Sequence, residues 1–192
     1  MWRTRLTTRL ILLNAGGTAS ARIGAFAAAD EGLDEGGWRK AKSRAVPAPL
    51  PDRTVCSPLR CARETAAALG LDPDEEPALA DSDHGRWAGR PLTDIEREEP
   101  QLLARWLADP GGGAPDGETL GQVMQRTGPW LDREMSAGGT VLAITHAAVM
   151  RAVLACTLHI PARSTFSIDI APLSFMLLSF NRTWRLQELR PL

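Results

Sequence analysis

Three stretches of this chain carry side chains suited to chemistry, and each follows a short strand-like run, apolar in the first and third. Leu10-Ile11-Leu12-Leu13 opens onto Asn14-Ala15-Gly16-Gly17-Thr18. Arg53-Thr54-Val55-Cys56 opens onto Ser57-Pro58, with Arg60, Cys61 and Arg63 just beyond. Thr140-Val141-Leu142-Ala143-Ile144-Thr145 opens onto His146 and Ala147. An apolar run that stops abruptly at a turn reads as a buried parallel strand. In open α/β sheets ligands sit just past the carboxyl ends of such strands. The candidate chemistry is therefore the Cys61 thiol as a nucleophile, His146 as a base, and the loop acids Asp81 and Asp83. Against this, the first turn holds no acid, no base and no nucleophile stronger than the Thr18 hydroxyl.

The elements that must position these residues alternate. Leu33–Ala45 reads as a helix, with Asp34 and Glu35 at its start and Arg39, Lys40, Lys42 and Arg44 at its end, as the helix dipole favours. Pro47, Pro49 and Pro51 make a non-helical linker. Ser57 as N-cap with Pro58 at the first helical position starts a helix that runs from Leu59 to about Leu69 and stops at Gly70. A strand, a tight turn and a helix N-terminus together form an anion-binding corner. Asp72–Pro77 is an acidic loop, and Leu79–Arg90 an ordered loop rich in polar side chains. Thr93–Leu107 is amphipathic but interrupted by Pro100, and Pro110–Pro115 is a mobile glycine-proline loop. A helix is expected from about Leu120 to Met135, ended by Gly138-Gly139, and another over Ala147–Leu158. Thr165–Ile170, Leu173–Phe180 and Arg182–Leu189 read as strands. The expected fold is a three-layer α/β/α sandwich with a mostly parallel sheet and an antiparallel strand. A single domain over residues 1–192 is expected, with a helical insertion at about 72–137.

Bulk properties narrow the function classes. A chain of 192 residues with a net charge of −1 gives no reason to expect a nucleic-acid or membrane-surface partner. Cys56, Cys61 and Cys156 are odd in number and irregular in spacing, which fits reduced thiols in a cytoplasmic protein. They have no metal-ligand spacing with His84, His146 or His159, so neither metal nor cofactor is expected. The basic start and the run Leu10–Leu13 resemble a signal peptide faintly, but four apolar residues are too few for its hydrophobic region.

Six segments, taken in order, resemble the histidine phosphatase superfamily, the phosphoglycerate-mutase-like fold. Asn14-Ala15-Gly16-Gly17-Thr18 stands where that family has Arg-His-Gly-Glu-Thr. Phe26 with Leu33-Asp34-Glu35-Gly36-Gly37 is similar to its "F…LTxxG" segment. Cys56-Ser57-Pro58-Leu59-Arg60-Cys61-Ala62-Arg63 is similar to its "SSPLxRA" helix start, and Leu79–Gly89 to its "LxExxFGxWEG" loop. Gly117-Glu118-Thr119 resembles its "GES" element, and Val141–Val153 its "VLVVSHGGVIRAVL" segment. The resemblance covers about Ile11 to Leu189.

The resemblance implies phosphoryl transfer, in which a histidine attacks phosphorus while two arginines and a late histidine clamp the oxygens and a loop carboxylate protonates the leaving group. Carried over position by position, the first clamp arginine is Asn14 and the nucleophile is Ala15. The second arginine is Cys61 and the acid is Asp81, while the late histidine is kept as His146. Ala15 has no lone pair, which closes the covalent route at that position. Arg22, at a position often basic in the family, is expected to reach a ligand anion. The expected phosphate-binding set is Asn14, Gly16, Thr18, Arg22, Ser57, Cys61, His146 and Ala147.

Each candidate also has a plainer reading. Cys61 is a small filler where an arginine was lost, His146 a residue at a strand end, and Asp81 and Asp83 solvated loop acids. His84 and His159 are structural or exposed, and Trp87, Trp106 and Trp130 pack helices and loops. Three functions follow: a pseudoenzyme that binds a small phosphorylated or anionic ligand or a protein partner, an atypical phosphoesterase built on His146 and Asp81, and a structural or homodimeric scaffold.

Overall fold

Alternation along the first strand organises the molecule. In the computed structural model, which describes residues 7–28, 30–46 and 51–191, β1 (Thr8–Asn14) is buried at six of its seven residues. Successive side chains of a strand point to opposite faces. Leu10 and Leu12 therefore join one core cluster with Val141, Ala143 and Met150. Ile11 and Leu13 join another with Ala62, Ala66, Leu142 and Ile144. A strand apolar on both faces needs helices on both, which is the three-layer arrangement.

The remaining strands are β2 (Arg53–Cys56), β3 (Asp74–Glu75), β4 (Gly139–Thr145), β5 (Ser174–Asn181) and β6 (Thr183–Pro191). They form one sheet in the order β3-β2-β4-β1-β5-β6. β1 pairs parallel with β4, from Thr8 opposite Gly139 to Asn14 opposite Thr145. β5 is antiparallel to both of its neighbours, so it alone runs against the other five. The long helices are α2 (Glu35–Lys42), α3 (Arg60–Ala68), α4 (Leu92–Glu98), α5 (Pro100–Ala108), α6 (Leu120–Ala137) and α7 (Ala147–Leu158), after a single turn, α1 (Ala19–Arg22). α6 and α7 cover the Leu10/Leu12 face, and α3 with α2 behind it the Ile11/Leu13 face. The Pro100 interruption divides α4 from α5.

Several expectations need correction. Thr165–Ile170 is no strand: after Pro161 the chain coils into a 3₁₀ turn, Ala162–Ser167, closed by Thr165 Oγ1 donating to the Ala162 carbonyl at 2.6 Å. Within the acidic loop, Asp74 and Glu75 form β3 beside β2. Pro110–Gly112 is a 3₁₀ turn held by backbone hydrogen bonds. Ser57 does not cap α3. Its Oγ accepts the Leu59 N–H at 3.1 Å, a local serine turn that spends two more residues before the helix starts, and Leu59 takes the cap position. The proline linker at Pro47 and Pro49 lies outside the described residues. No helix among the described residues is long and apolar enough to cross a membrane.

Two of the expected helices are present and start at side-chain caps, α2 being shorter than expected at Glu35–Lys42. Asp34 caps α2 by accepting the Gly37 N–H at 2.7 Å. Thr119 caps α6 in a reciprocal box, its Oγ1 accepting the Gln122 N–H while the Gln122 side chain accepts the Thr119 N–H. Replacing Thr119 by Ala is expected to cost about 1 kcal/mol of unfolding free energy in a urea titration. A loss below about 0.3 kcal/mol would mean that α6 is held by packing alone.

Candidate functional site

Backbone hydrogen bonds gather the strand ends at one edge of the sheet. The Ala15 N–H donates to the Thr145 carbonyl, and the Ser57 N–H to the Ile144 carbonyl, both at 2.8 Å. Thr145 Oγ1 donates to the Leu79 carbonyl at 2.7 Å, which ties the polar loop to the end of β4. Around this junction opens a cavity of about 610 Å³, whose lining includes Thr18, Cys61, Asp81, His84, Arg126 and His146.

His146 is the N-cap residue of α7 and is only 5 % exposed. Its Nε2 lies 2.8 Å from Ser57 Oγ. Because Ser57 Oγ already accepts from Leu59, its own proton is available to donate to Nε2. The other ring nitrogen, Nδ1, lies 3.6 Å from Asp81 Oδ2. Burial is the main influence on the ring and holds its pKa below the ordinary 6.5. Asp81 opposes this, while Arg126 and His84 reinforce it. A buried neutral ring gives a definite sign. Below about pH 6.5 the unfolded histidine takes up a proton that the folded one refuses, so stability falls with acidification through that value. His146→Gln is expected to flatten the change in melting temperature between pH 7.5 and pH 5. An unchanged slope would place the acid sensitivity elsewhere.

Among the described residues Arg126 is the only guanidinium in the cavity wall, and it is committed. Its Nε and Nη2 donate to Glu118 at 2.8 and 3.0 Å, its Nη1 to the Ala78 carbonyl at 2.8 Å, and its Nη2 also to the Asp81 carbonyl at 3.0 Å. It clasps the loop that carries Asp81. Against this one cation the wall holds Glu31, Asp81, Asp83, Asp116 and Glu118. An oxyanion site is built from donors and positive charge. Here the balance is reversed.

The expected binding residues fare unequally. His146, Cys61, Thr18 and Asp81 line this cavity. Thr18 also accepts the Ala21 N–H as the cap of α1. Cys61 is not activated, contrary to one reading: burial, then Asp81, pushes its thiol up to about 12. Ser57 is fully buried beneath His146. Asn14 is turned elsewhere, its Nδ2 donating to the Ala171 carbonyl at 2.9 Å and the Ile170 carbonyl at 3.3 Å. The Gly16 N–H is taken by Thr65 Oγ1 at 2.9 Å. Arg22, expected at the ligand, pairs instead with Asp34 at 2.5 Å on the surface. Ala15 packs in the core cluster of Ile11, Leu13 and Phe175. Ala147 lines a second, smaller cavity.

Sequence reasoning missed Arg126, Glu31 and Asp116, and set His84 aside. His84 lines the cavity with its ring 5.1 Å from that of Phe26. Arg126 had a usable signal: it lies two helical turns after Thr119, on the face that starts beside Glu118. Glu31 and Asp116 had none, because loop carboxylates share no period. Among the described residues no three His, Cys, Asp or Glu side chains are grouped to hold a metal ion.

A six-stranded sheet with one reversed strand, helices on both faces and a crevice at the β1, β2 and β4 ends defines the phosphoglycerate-mutase-like class. The profile of the histidine phosphatase superfamily (branch 1) matches residues 10–190, and the chain belongs to that family. The alpha-ribazole phosphatase of Shigella flexneri superposes with a TM-score of 0.83 at 22% identity, covering 95% of this chain and 96% of that one. A mycobacterial glucosyl-3-phosphoglycerate phosphatase, Rv2419c, superposes with 0.80 at 22% identity, covering 94% and 97%. In sequence, the chain is 31% identical over 181 residues to the bifunctional protein Rv2228c of Mycobacterium tuberculosis, covering 87% of this chain and 49% of that protein. It therefore spans about half the length of that relative. It is 28% identical over 140 residues to phosphoserine phosphatase 1 of Hydrogenobacter thermophilus, covering 68% and 66%.

Proposed function

We propose that this member of the histidine phosphatase superfamily is a pseudoenzyme that binds a small ligand without phosphohistidine chemistry. The observation that carries the reading is Ala15: a buried methyl group follows β1 where the family resemblance calls for the attacking histidine. The cavity wall supports it. With Arg126 committed and five carboxylates present, no free cation among the described residues remains there to neutralise a phosphoryl group. For the same reason the main cavity is a poor seat for a phosphate dianion. Cys61 does not substitute as nucleophile, since its thiol stays protonated.

One observation favours an atypical phosphoesterase as the second reading. Ser57, His146 and Asp81 form a chain in which a hydroxyl meets a base and the base faces a carboxylate. Ser57 has no exposed surface, so a substrate reaches His146 before it reaches the hydroxyl. The test is turnover of p-nitrophenyl phosphate and a panel of metabolite monoesters by the wild type beside His146→Ala. Rates equal to the protein-free blank for both support the pseudoenzyme. Wild-type turnover that disappears in the variant replaces it with the phosphoesterase.

A further inference from the structure

A second cavity of about 300 Å³ adjoins the first across Asp81, Ser82, His84 and Glu118, and its character is different. Leu120, Val123, Trp106 and Phe166 contribute apolar walls. Its distinctive polar group is Arg151. The Nε of Arg151 is buried without a hydrogen-bond partner, and its Nη2 makes one long contact, 3.4 Å to the Ile168 carbonyl. The guanidinium carbon sits 5.3 Å from the centre of the Phe166 ring. Among the described residues no carboxylate lies within ion-pair distance of it, and Asp81 and Asp169 act on it only from further away. A partly buried guanidinium that lacks a partner is costly unless a ligand supplies one.

The backbone beside it points the same way. Ala147 and Ala148, the first two residues of α7, line this cavity, and the helix start has no side-chain cap. Arg151 lies one turn further along the same face. The uncapped start of α7 and a guanidinium thus line one cavity that also has apolar walls.

We propose that this second cavity binds a small organic carboxylate, held by Arg151 and the amide groups at the start of α7, with its apolar body against Trp106 and Phe166. A single negative charge fits the balance: one unpaired guanidinium and a helix start provide positive potential, while Asp81 and Glu118 at the shared wall oppose a second charge. This cavity shares Asp81, Ser82, His84 and Glu118 with the larger one but is not lined by Cys61 or His146, so carboxylate binding is measured without turnover in the main cavity.

Three probes that share a phenyl body test the charge and the place: phenylacetate, phenyl phosphate and phenethylamine. Each is titrated into the full chain by calorimetry and by ¹⁵N-edited NMR. Phenylacetate is expected to bind tightest and to shift the Ala147, Ala148 and Arg151 resonances. Arg151→Lys keeps the charge but loses the fork, and is expected to weaken phenylacetate about tenfold. Arg151→Met is expected to abolish binding, with its fold checked by circular dichroism. Tighter binding of phenyl phosphate or phenethylamine overturns the carboxylate assignment. Shifts confined to residues of the larger cavity, such as Asp116 and Gly117, overturn the location. No binding of any probe by the folded wild type, or unchanged affinity in Arg151→Lys and a folded Arg151→Met, overturns the proposal altogether.

Discussion

The triple variant Asn14→Arg, Ala15→His, Cys61→Arg is expected to hydrolyse p-nitrophenyl phosphate, where the wild type stays at the protein-free blank. The size of the effect follows from charge placement. A preorganised donor aimed at charge that develops in a transition state is worth about 3 kcal/mol, so two restored arginines supply roughly 6 kcal/mol. That corresponds to about ten-thousand-fold in rate. Ala15→His alone is accordingly expected to be about ten-thousand-fold slower than the triple variant. The frame for the chemistry is present: Ala15 is hydrogen-bonded to Thr145, next to His146, and Cys61 lines the cavity. Asn14→Arg must break two hydrogen bonds to the 170–171 carbonyls, so a melting temperature near that of the wild type is the control for folding. A folded triple variant that remains at the blank would contradict the positional match between Ala15 and the attacking histidine.

Trp87→Ala is expected to be the most destabilising single change near the site. Trp87 is fully buried in the third core cluster with Phe26, Ile95, Leu103 and Ala114. Its ring centre lies 5.3 Å from that of Phe26 and 6.4 Å from that of Trp106. Its Nε1 donates to Glu99 Oε1 at 3.3 Å, and Glu99 also receives Arg86 and Arg90 at 2.6 Å each. Truncating a buried tryptophan typically costs 3–5 kcal/mol, roughly a third or more of the stability of an ordinary domain. This cluster is small and sits under the loop that holds Asp81 and His84, so the change should loosen the cavity wall as well. Urea denaturation measures the loss, and a value below about 1 kcal/mol would show that the loop collapses onto the gap. Faster amide hydrogen exchange at 81–90 than in β4 is the local signature.

The strongest sequence signals were those with a local physical cause. Leu10–Leu13 and Val141–Ile144 are apolar without interruption because both faces of their strands are covered, so the run alone marked them as central. Leu120–Met135 was legible as a helix, and its start is fixed by a capping box completed within four residues, Thr119 with Gln122. The family motifs marked Ala15 and His146 in the same way. Signals failed where a side chain's partner is distant in sequence. Thr165–Ile170 has strand-like composition, but the preceding Pro161 and the hydroxyl of Thr165 favour a 3₁₀ turn. Arg22 is suited to an anion, but Asp34 reaches it first.

The chain's residues in order thus determine which elements form, which strand ends face the crevice and which catalytic groups are missing from them. Substitution at Ala15 is visible in one dimension because it concerns one residue's own atoms. The tertiary structure alone decides the electrostatics of the crevice, because these depend on distances between loops. It brings Glu31, Asp81, Asp83, Asp116 and Glu118 around one space. It commits Arg126 to Glu118 and, among the described residues, leaves Arg151 without a carboxylate in ion-pair reach. It also sets Ser57 beneath His146, 89 positions away along the chain, and buries that ring so that its pKa is lowered.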